Sequence, residues 1–81
     1  MSSDGWAIAK ELDACGLACP LPLLKAKQEI NRLQAGEILK VICTDAGSVR
    51  DFSVFSRQSG HVLLESDEGD GKYYYWLRKK R

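Results

Sequence analysis

The chain has 81 residues, three cysteines and a formal net charge of +1, which bounds it to a single small domain, 1–81, of at most two layers. With 44% hydrophobic and 28% charged residues it falls in the globular range, so disordered and fibrous classes are excluded and a general nucleic-acid charge signal is missing. No apolar stretch is long enough to cross a bilayer and no basic-then-apolar leader is present, so a cytoplasmic protein without membrane partners is expected. An odd number of cysteines without zinc-like pairing fits free thiols in a reducing compartment. With His61 the only histidine, no four-ligand metal set can be assembled.

In chain order, Met1 to Gly5 is small and polar, and Trp6 to Leu12 reads as a short first strand ending near Asp13, with Trp6 as a packing residue. Cys15-Gly16-Leu17-Ala18 is a connecting loop in which Gly16 supplies a backbone bend. A first helix is expected from Pro20 to Leu33: Leu23, Ala26, Ile30 and Leu33, with Leu24 beside them, recur at helical spacing, while Lys25, Gln28, Glu29 and Arg32 fill the opposite face. Ala35-Gly36 closes it. Glu37 to Thr44 is a strand rich in β-branched and apolar residues, and Cys43 within it reads as a small core hydrophobe.

Asp45-Ala46-Gly47-Ser48 turns into a second helix that Asp45 or Ser48 caps. Val49, Phe52 and Phe55 form its apolar stripe, and it ends at Ser59-Gly60. His61 to Ser66 is a third strand, Asp67 to Gly71 a glycine-bearing turn, and Lys72 to Arg78 a fourth strand with Tyr73, Tyr75 and Leu77 on one face and Tyr74, Trp76 and Arg78 on the other. His61 reads as a structural or solvated edge residue, since no acidic orienter lies near it in sequence. Arg78-Lys79-Lys80-Arg81 reads as a mostly solvated tail. The order βαβαββ predicts an α+β two-layer sandwich, a mixed four-stranded sheet with both helices on one face, because successive right-handed crossovers in one direction place their helices on the same side.

The chemistry centres on Cys19-Pro20-Leu21-Pro22. A thiol followed by proline ahead of an amphipathic run reads as a cysteine at a helix N-cap, with Pro20 at N1 and Pro22 at N3. The two prolines remove early backbone donors, so the N–H groups of Leu21 and Leu23 remain near the sulfur with the positive end of the helix dipole. Both favour thiolate, which makes Cys19 a candidate nucleophile. Lys25 and Lys27 flank that end of the helix as candidate partner-docking cations, and Asp45 is a third docking candidate.

The run Asp13-Ala14-Cys15-Gly16-Leu17-Ala18-Cys19-Pro20-Leu21-Pro22, followed by a helix and Gly36-Glu37, resembles the TusA/SirA family of small sulfur-carrier proteins. The likeness continues through Thr44-Asp45, Asp51-Phe52, Gly60-His61 and the Tyr73 to Arg78 strand. It implies a two-layer sandwich similar to the C-terminal domain of a bacterial translation initiation factor. It also implies a carrier rather than an independent turnover enzyme: Cys19 holds a transient covalent persulfide, Gly16, Pro20 and Pro22 support it, and no separate cofactor is used. The implied donor is a cysteine desulfurase or a rhodanese-like protein. The implied recipient is a downstream sulfur-relay protein leading to tRNA thiolation or, in sulfur oxidisers, to sulfite-forming enzymes. Leu21 stands where some members have glutamate, and Ala18 where a basic residue is common.

Two other classes are weighed against the carrier. A thiol–disulfide protein would use Cys15 and Cys19, but their spacing is not Cys-x-x-Cys. A nucleic-acid-binding or regulatory module would use the terminal cations with Tyr73 to Trp76. Alternating strand aromatics are more often packing, so direct nucleic-acid binding is not expected.

Overall fold

The computed structural model describes residues 8–18 and 20–81. The expectations for Trp6 and for the placement of Cys19 fall outside the described residues. The elements are β1 (Ile8–Ala14), α1 (Leu21–Asn31), β2 (Ile38–Cys43), α2 (Ser48–Ser59), β3 (Val62–Gly69) and β4 (Lys72–Arg78). They build one mixed sheet in the order β1-β2-β4-β3. β1 and β2 are parallel, and β4 is antiparallel to both β2 and β3. Both crossovers therefore step across the sheet in the same direction, and right-handedness puts α1 and α2 side by side on one face, as the element order predicts.

Between the layers lies the core. Leu39, Val41 and Cys43 of β2 are wholly buried, as are Ala14, Ala26, Phe52 and Leu77, and they pack with Ile30, Phe55 and Tyr75. Alternate β2 residues turn to the helices, the period-2 rule of a strand covered on one side. Phe52 stacks on Tyr75 at 4.5 Å between centroids and 16° between planes. On the other sheet face the Lys40 ammonium lies 5.6 Å from the Trp76 ring and 5.8 Å from Tyr74, and pairs with Glu11 at 3.3 Å.

Several details of the sequence reading change. Helix α1 is shorter than Pro20 to Leu33. Pro20 takes the N-cap position with φ −100° and ψ 17°, so Pro22 falls at N2, one place earlier than its expected N3. Its buried side is Pro22, Ala26 and Ile30, whereas Leu24 is 46% exposed. In α2 the inward position of the first turn belongs to Ser48, bonded to the Tyr75 hydroxyl at 2.7 Å, and Val49 is 52% exposed.

Neither Asp45 nor Ser48 caps α2. Gly47 stands at its N-cap without a side-chain bond, because the Ser48 hydroxyl is spent on Tyr75. Asp67 and Glu68 belong to β3, and the turn shrinks to Asp70-Gly71, whose φ values of 54° and 76° are those of a two-residue type I′ hairpin. β3 is an edge strand, and acidic residues guard such an edge against further pairing.

The basic segment after Arg78 is not a solvated tail. Lys79 continues the backbone pairing: its N–H donates to the Glu37 carbonyl and its carbonyl accepts from the Gly36 N–H, each at 2.9 Å. Its ammonium donates to the Leu33 carbonyl at 2.6 Å and to that of Asn31 at 3.4 Å. A cation thus closes the C-terminal end of α1, where helix carbonyls lack partners and the dipole is negative. Gly36 has φ +88°, so the reversal that brings this strap alongside requires a glycine.

His61 is 8% exposed and lies against Phe55, with centroids 5.6 Å apart. Its Nδ1 accepts the Lys80 N–H at 3.0 Å. It is structural, as expected, but buried rather than at a solvated edge. Burial, then the Lys80 and Lys79 charges, hold its pKa below the ordinary 6.5. The folded state therefore binds fewer protons than the unfolded chain once pH drops below about 6.5. Stability should be complete above that value and fall as pH decreases through the lowered folded pKa. Urea midpoints between pH 7.5 and 5 should show this slope in the native chain and a much weaker one in His61→Gln. An equal slope in both would assign the effect to another group.

Candidate functional site

The sheet has two ends. Ala14, Cys43 and Tyr73 mark one, and Ile8, Ile38 and Arg78 the other, about 17 Å away at 3.3 Å per strand residue. The loop into the Cys-Pro-Leu-Pro element leaves β1 at the first end, and the Lys79 strap lies at the second.

Backbone donors in that loop are committed one by one. The Cys15 N–H donates to Asp13 Oδ1 at 3.0 Å, the Gly16 N–H to Thr44 Oγ1 at 2.9 Å, and the Leu17 N–H to the Ala14 carbonyl at 3.3 Å. Thr44 directly follows β2, so its hydroxyl ties the loop to the centre of the sheet. Gly16 has φ +82° and open space where a Cβ would stand. Backbone conformation alone calls for glycine there.

At the helix start, the Leu21 N–H donates to the Ala18 carbonyl at 2.9 Å and the Pro20 carbonyl accepts from Leu24 at 3.0 Å. The Leu21 donor expected to remain near the sulfur is thus already engaged in the turn that leads into α1. Pro22 is fully buried, while Leu21 is 46% exposed. Pro22 anchors this end of α1 to the core, and Leu21 and Leu24, three residues apart, share an exposed face.

Cys15 and Cys43 are free thiols. Cys15 is held protonated: the Asp13 carboxylate accepts from its thiol and raises its pKa, with smaller contributions from desolvation and from the Asp13 charge. Asp13 is correspondingly lowered, first by the Cys15 backbone N–H and then by the thiol. For Cys43, burial pushes the thiol up, partly offset by a hydrogen bond with Ser48. Neither is set up as a thiolate at neutral pH.

The remaining candidates lie at different places. Lys25 is exposed near the start of α1. Lys27 lies six residues in, about 9 Å along the helix at 1.5 Å per residue. Its ammonium is 5.6 Å from the Phe55 centroid, and it lines a groove of about 300 Å³ between α1 and α2 with Leu23, Arg50, Asp51 and Gln58. Asp45 is half-buried beside Thr44, and its Oδ2 is buried without a hydrogen-bond partner among the described residues. Asp13 and Thr44, which hold the loop, carry no local sequence signal for that task. Thr44 acts across 28 residues, and a threonine ending a strand pattern reads as strand. Among the described residues no group of histidine, cysteine and carboxylate side chains is placed to hold a metal, and no helix is long and apolar enough to cross a membrane.

Fold and loop define a small helix-on-sheet protein in which a Cys-Pro-x-Pro element joins the first strand to the first helix. A solved SirA-like protein from Desulfitobacterium hafniense has this fold, with a TM-score of 0.78 over 89% of this chain and 99% of that one, at 24% identity. The sequence profile of the family described as Sulfurtransferase TusA matches residues 10–79. The chain is 50% identical over 70 residues to the sulfur carrier protein TusA of Allochromatium vinosum, covering 86% of this chain and 92% of that protein. It is 46% identical over 69 residues to that of Pseudomonas putida, covering 85% and 86%. The chain belongs to the TusA family of sulfur carriers.

Proposed function

We propose that this protein accepts a persulfide sulfur on Cys19 and passes it to a downstream relay protein in the cytoplasm. The Cys19 thiolate attacks the terminal sulfur of the donor's persulfide. The donor's cysteine thiolate leaves, and one S–S bond is exchanged for another without net oxidation. The acceptor's nucleophile then repeats the step on Cys19, so no cofactor beyond the transient persulfide is used. A cysteine desulfurase or rhodanese-like protein is the donor. The sulfur goes on to tRNA thiolation or into sulfur oxidation.

The observation that carries this reading is the family match across residues 10–79, which spans the Cys-Pro-Leu-Pro element. The raised thiols of Cys15 and Cys43 support Cys19 as the reactive one. Gly16, Pro20 and Pro22 are proposed to shape the loop and helix start around it. Exposed Leu21, Leu24 and Val49 offer an apolar rim at the same end for docking. Asp45, half-buried beside Thr44, is proposed as a third docking residue, and Lys25 and Lys27 attract an acidic partner.

Incubation with a cysteine desulfurase and cysteine should add the mass of one sulfur atom to the peptide containing Cys19, reversibly with a reducing thiol. If neither a desulfurase nor a rhodanese with thiosulfate loads it, the reading is wrong. Reversing both Lys25 and Lys27 to glutamate should slow partner association about tenfold at low salt and flatten its salt dependence. Unchanged association rates by stopped flow would remove these lysines from docking.

A further inference from the structure

At the end of the molecule away from the Cys-Pro-Leu-Pro element, α1, α2 and the strap after β4 enclose a groove of about 390 Å³. Its polar lining includes His61, Lys27, Lys79, Lys80, Asn31 and Gln58, and among the described residues no carboxylate lines it. We infer that this groove binds a tetrahedral dianionic oxyanion of the phosphate or sulfate type, at a site independent of Cys19.

His61 is the first feature that suits an anion. Its Nδ1 accepts the Lys80 N–H, so the neutral ring carries its hydrogen on Nε2 and offers the groove a donor rather than an acceptor. That Nε2 has no hydrogen-bond partner among the described residues, and His61 as a whole is only 8% exposed. The backbone bond from Lys80 fixes both tautomer and ring orientation, leaving a positioned donor rather than a freely rotating one.

The second is charge. Neither Lys27 nor Lys80 has a carboxylate at ion-pair distance among the described residues. Lys79 is bonded to the carbonyls that end α1, and it too has no carboxylate at ion-pair distance among the described residues. Three ammonium groups thus border one concavity. Their field is already felt inside it: after burial, Lys80 and Lys79 are what disfavours a proton on His61, and a field that repels a proton attracts an anion. Asn31 and Gln58 add side-chain amide donors, which suit oxyanion oxygens.

The third is shape. A single oxyanion fills only part of about 390 Å³, so the groove accepts it either free or as the phosphate of a small monoester. A nucleic-acid strand fits less well, because the only rings in the lining, Phe55 and His61, are each 8% exposed and give a base no open face to stack on.

The test is a ¹⁵N–¹H titration of the full-length chain at pH 7.5 with inorganic phosphate, with AMP as the monoester, and with sodium chloride at matched ionic strength. Saturable shifts of the Lys80 amide and the His61 ring are expected with phosphate or AMP, with the Gly16 amide unmoved. The apparent affinity should weaken at least fivefold in Lys27→Gln/Lys80→Gln. Both side chains are exposed and the Lys80 backbone donor is retained, so the fold should persist, and Lys27→Gln alone provides the comparison if the double variant unfolds. Tighter binding of AMP assigns the site to an esterified phosphate, and equal or weaker binding to the free oxyanion. Shifts that chloride reproduces, that do not saturate, or that survive the lysine substitutions overturn the proposal.

Discussion

Deleting Lys79 to Arg81 should lower the thermal midpoint by about 10 °C or more while leaving sulfur loading intact at temperatures where the variant stays folded. The deletion removes the two backbone bonds between Lys79 and the Gly36-Glu37 turn, the ammonium that closes α1 and the Lys80 donor to His61. At about 1 kcal/mol for each of the three neutral bonds and somewhat more for the charged one, the loss is roughly 4–6 kcal/mol. A chain of this size has a total stability of only about 4–12 kcal/mol at 0.05–0.15 kcal/mol per residue, and each 1 kcal/mol moves the midpoint by about 4–8 °C. Lys79→Met, which keeps the backbone bonds and removes only the ammonium, should show about a third to a half of the effect. A deletion variant that melts within two degrees of the native chain would mean the strap contributes nothing. Loss of loading without loss of folding would place part of the sulfur site at the wrong end of the molecule.

Replacing Cys19 with serine should abolish sulfur loading outright, whereas Cys15→Ser and Cys43→Ser should still load. The difference rests on protonation. The Asp13 carboxylate accepts a hydrogen bond from the Cys15 thiol and so opposes loss of its proton, and Cys43 is wholly buried with a raised pKa. Thiolate fraction, together with access, controls attack on a persulfide. The same ordering should appear in alkylation at mildly acidic pH followed by peptide mapping, with Cys19 labelled first. Asp13→Asn removes the carboxylate that holds the Cys15 proton, so it should narrow the gap between Cys15 and Cys19. Persulfide found on Cys15 in the Cys19→Ser variant would overturn the assignment of Cys19 as sole carrier.

Much of the architecture was legible because it rests on local periodicity. The β2 run, the Phe52 and Phe55 stripe and the alternating β4 face all follow from side-chain spacing, and the handedness of crossovers turned element order into a layer arrangement. Errors arose where a polar residue occupied an inward position. Ser48 is buried because Tyr75 needs a hydroxyl partner, so the stripe of α2 begins one residue before the apolar Val49. Pro22 was read only as an N3 residue that removes a backbone donor, and its place on the buried side of α1 pushed Leu24 outward. The strap was illegible for a different reason. Lys79 meets Leu33 and Asn31 across 46 and 48 residues, and four consecutive cations look alike whether they are solvated or closing a helix. At the site, the motif and its loop glycine could be read from sequence, but the Thr44 anchor joins residues whose proximity exists only once β1 lies beside β2.

The position of β4 bears on how the protein is made. The fourth strand in the chain is an inner strand of the sheet, lying between β2 and β3, which do not pair with each other. Until it emerges from the ribosome, β1 and β2 can form only one half of the sheet, and Tyr75 and Leu77 are missing from the core. The domain therefore completes its fold only after β4 has been synthesised, through pairings distant in sequence that slow the final step. During that interval a nascent chain would carry all three cysteines outside a finished core, and prompt insertion of β4 is what takes Cys43 out of reach of oxidants.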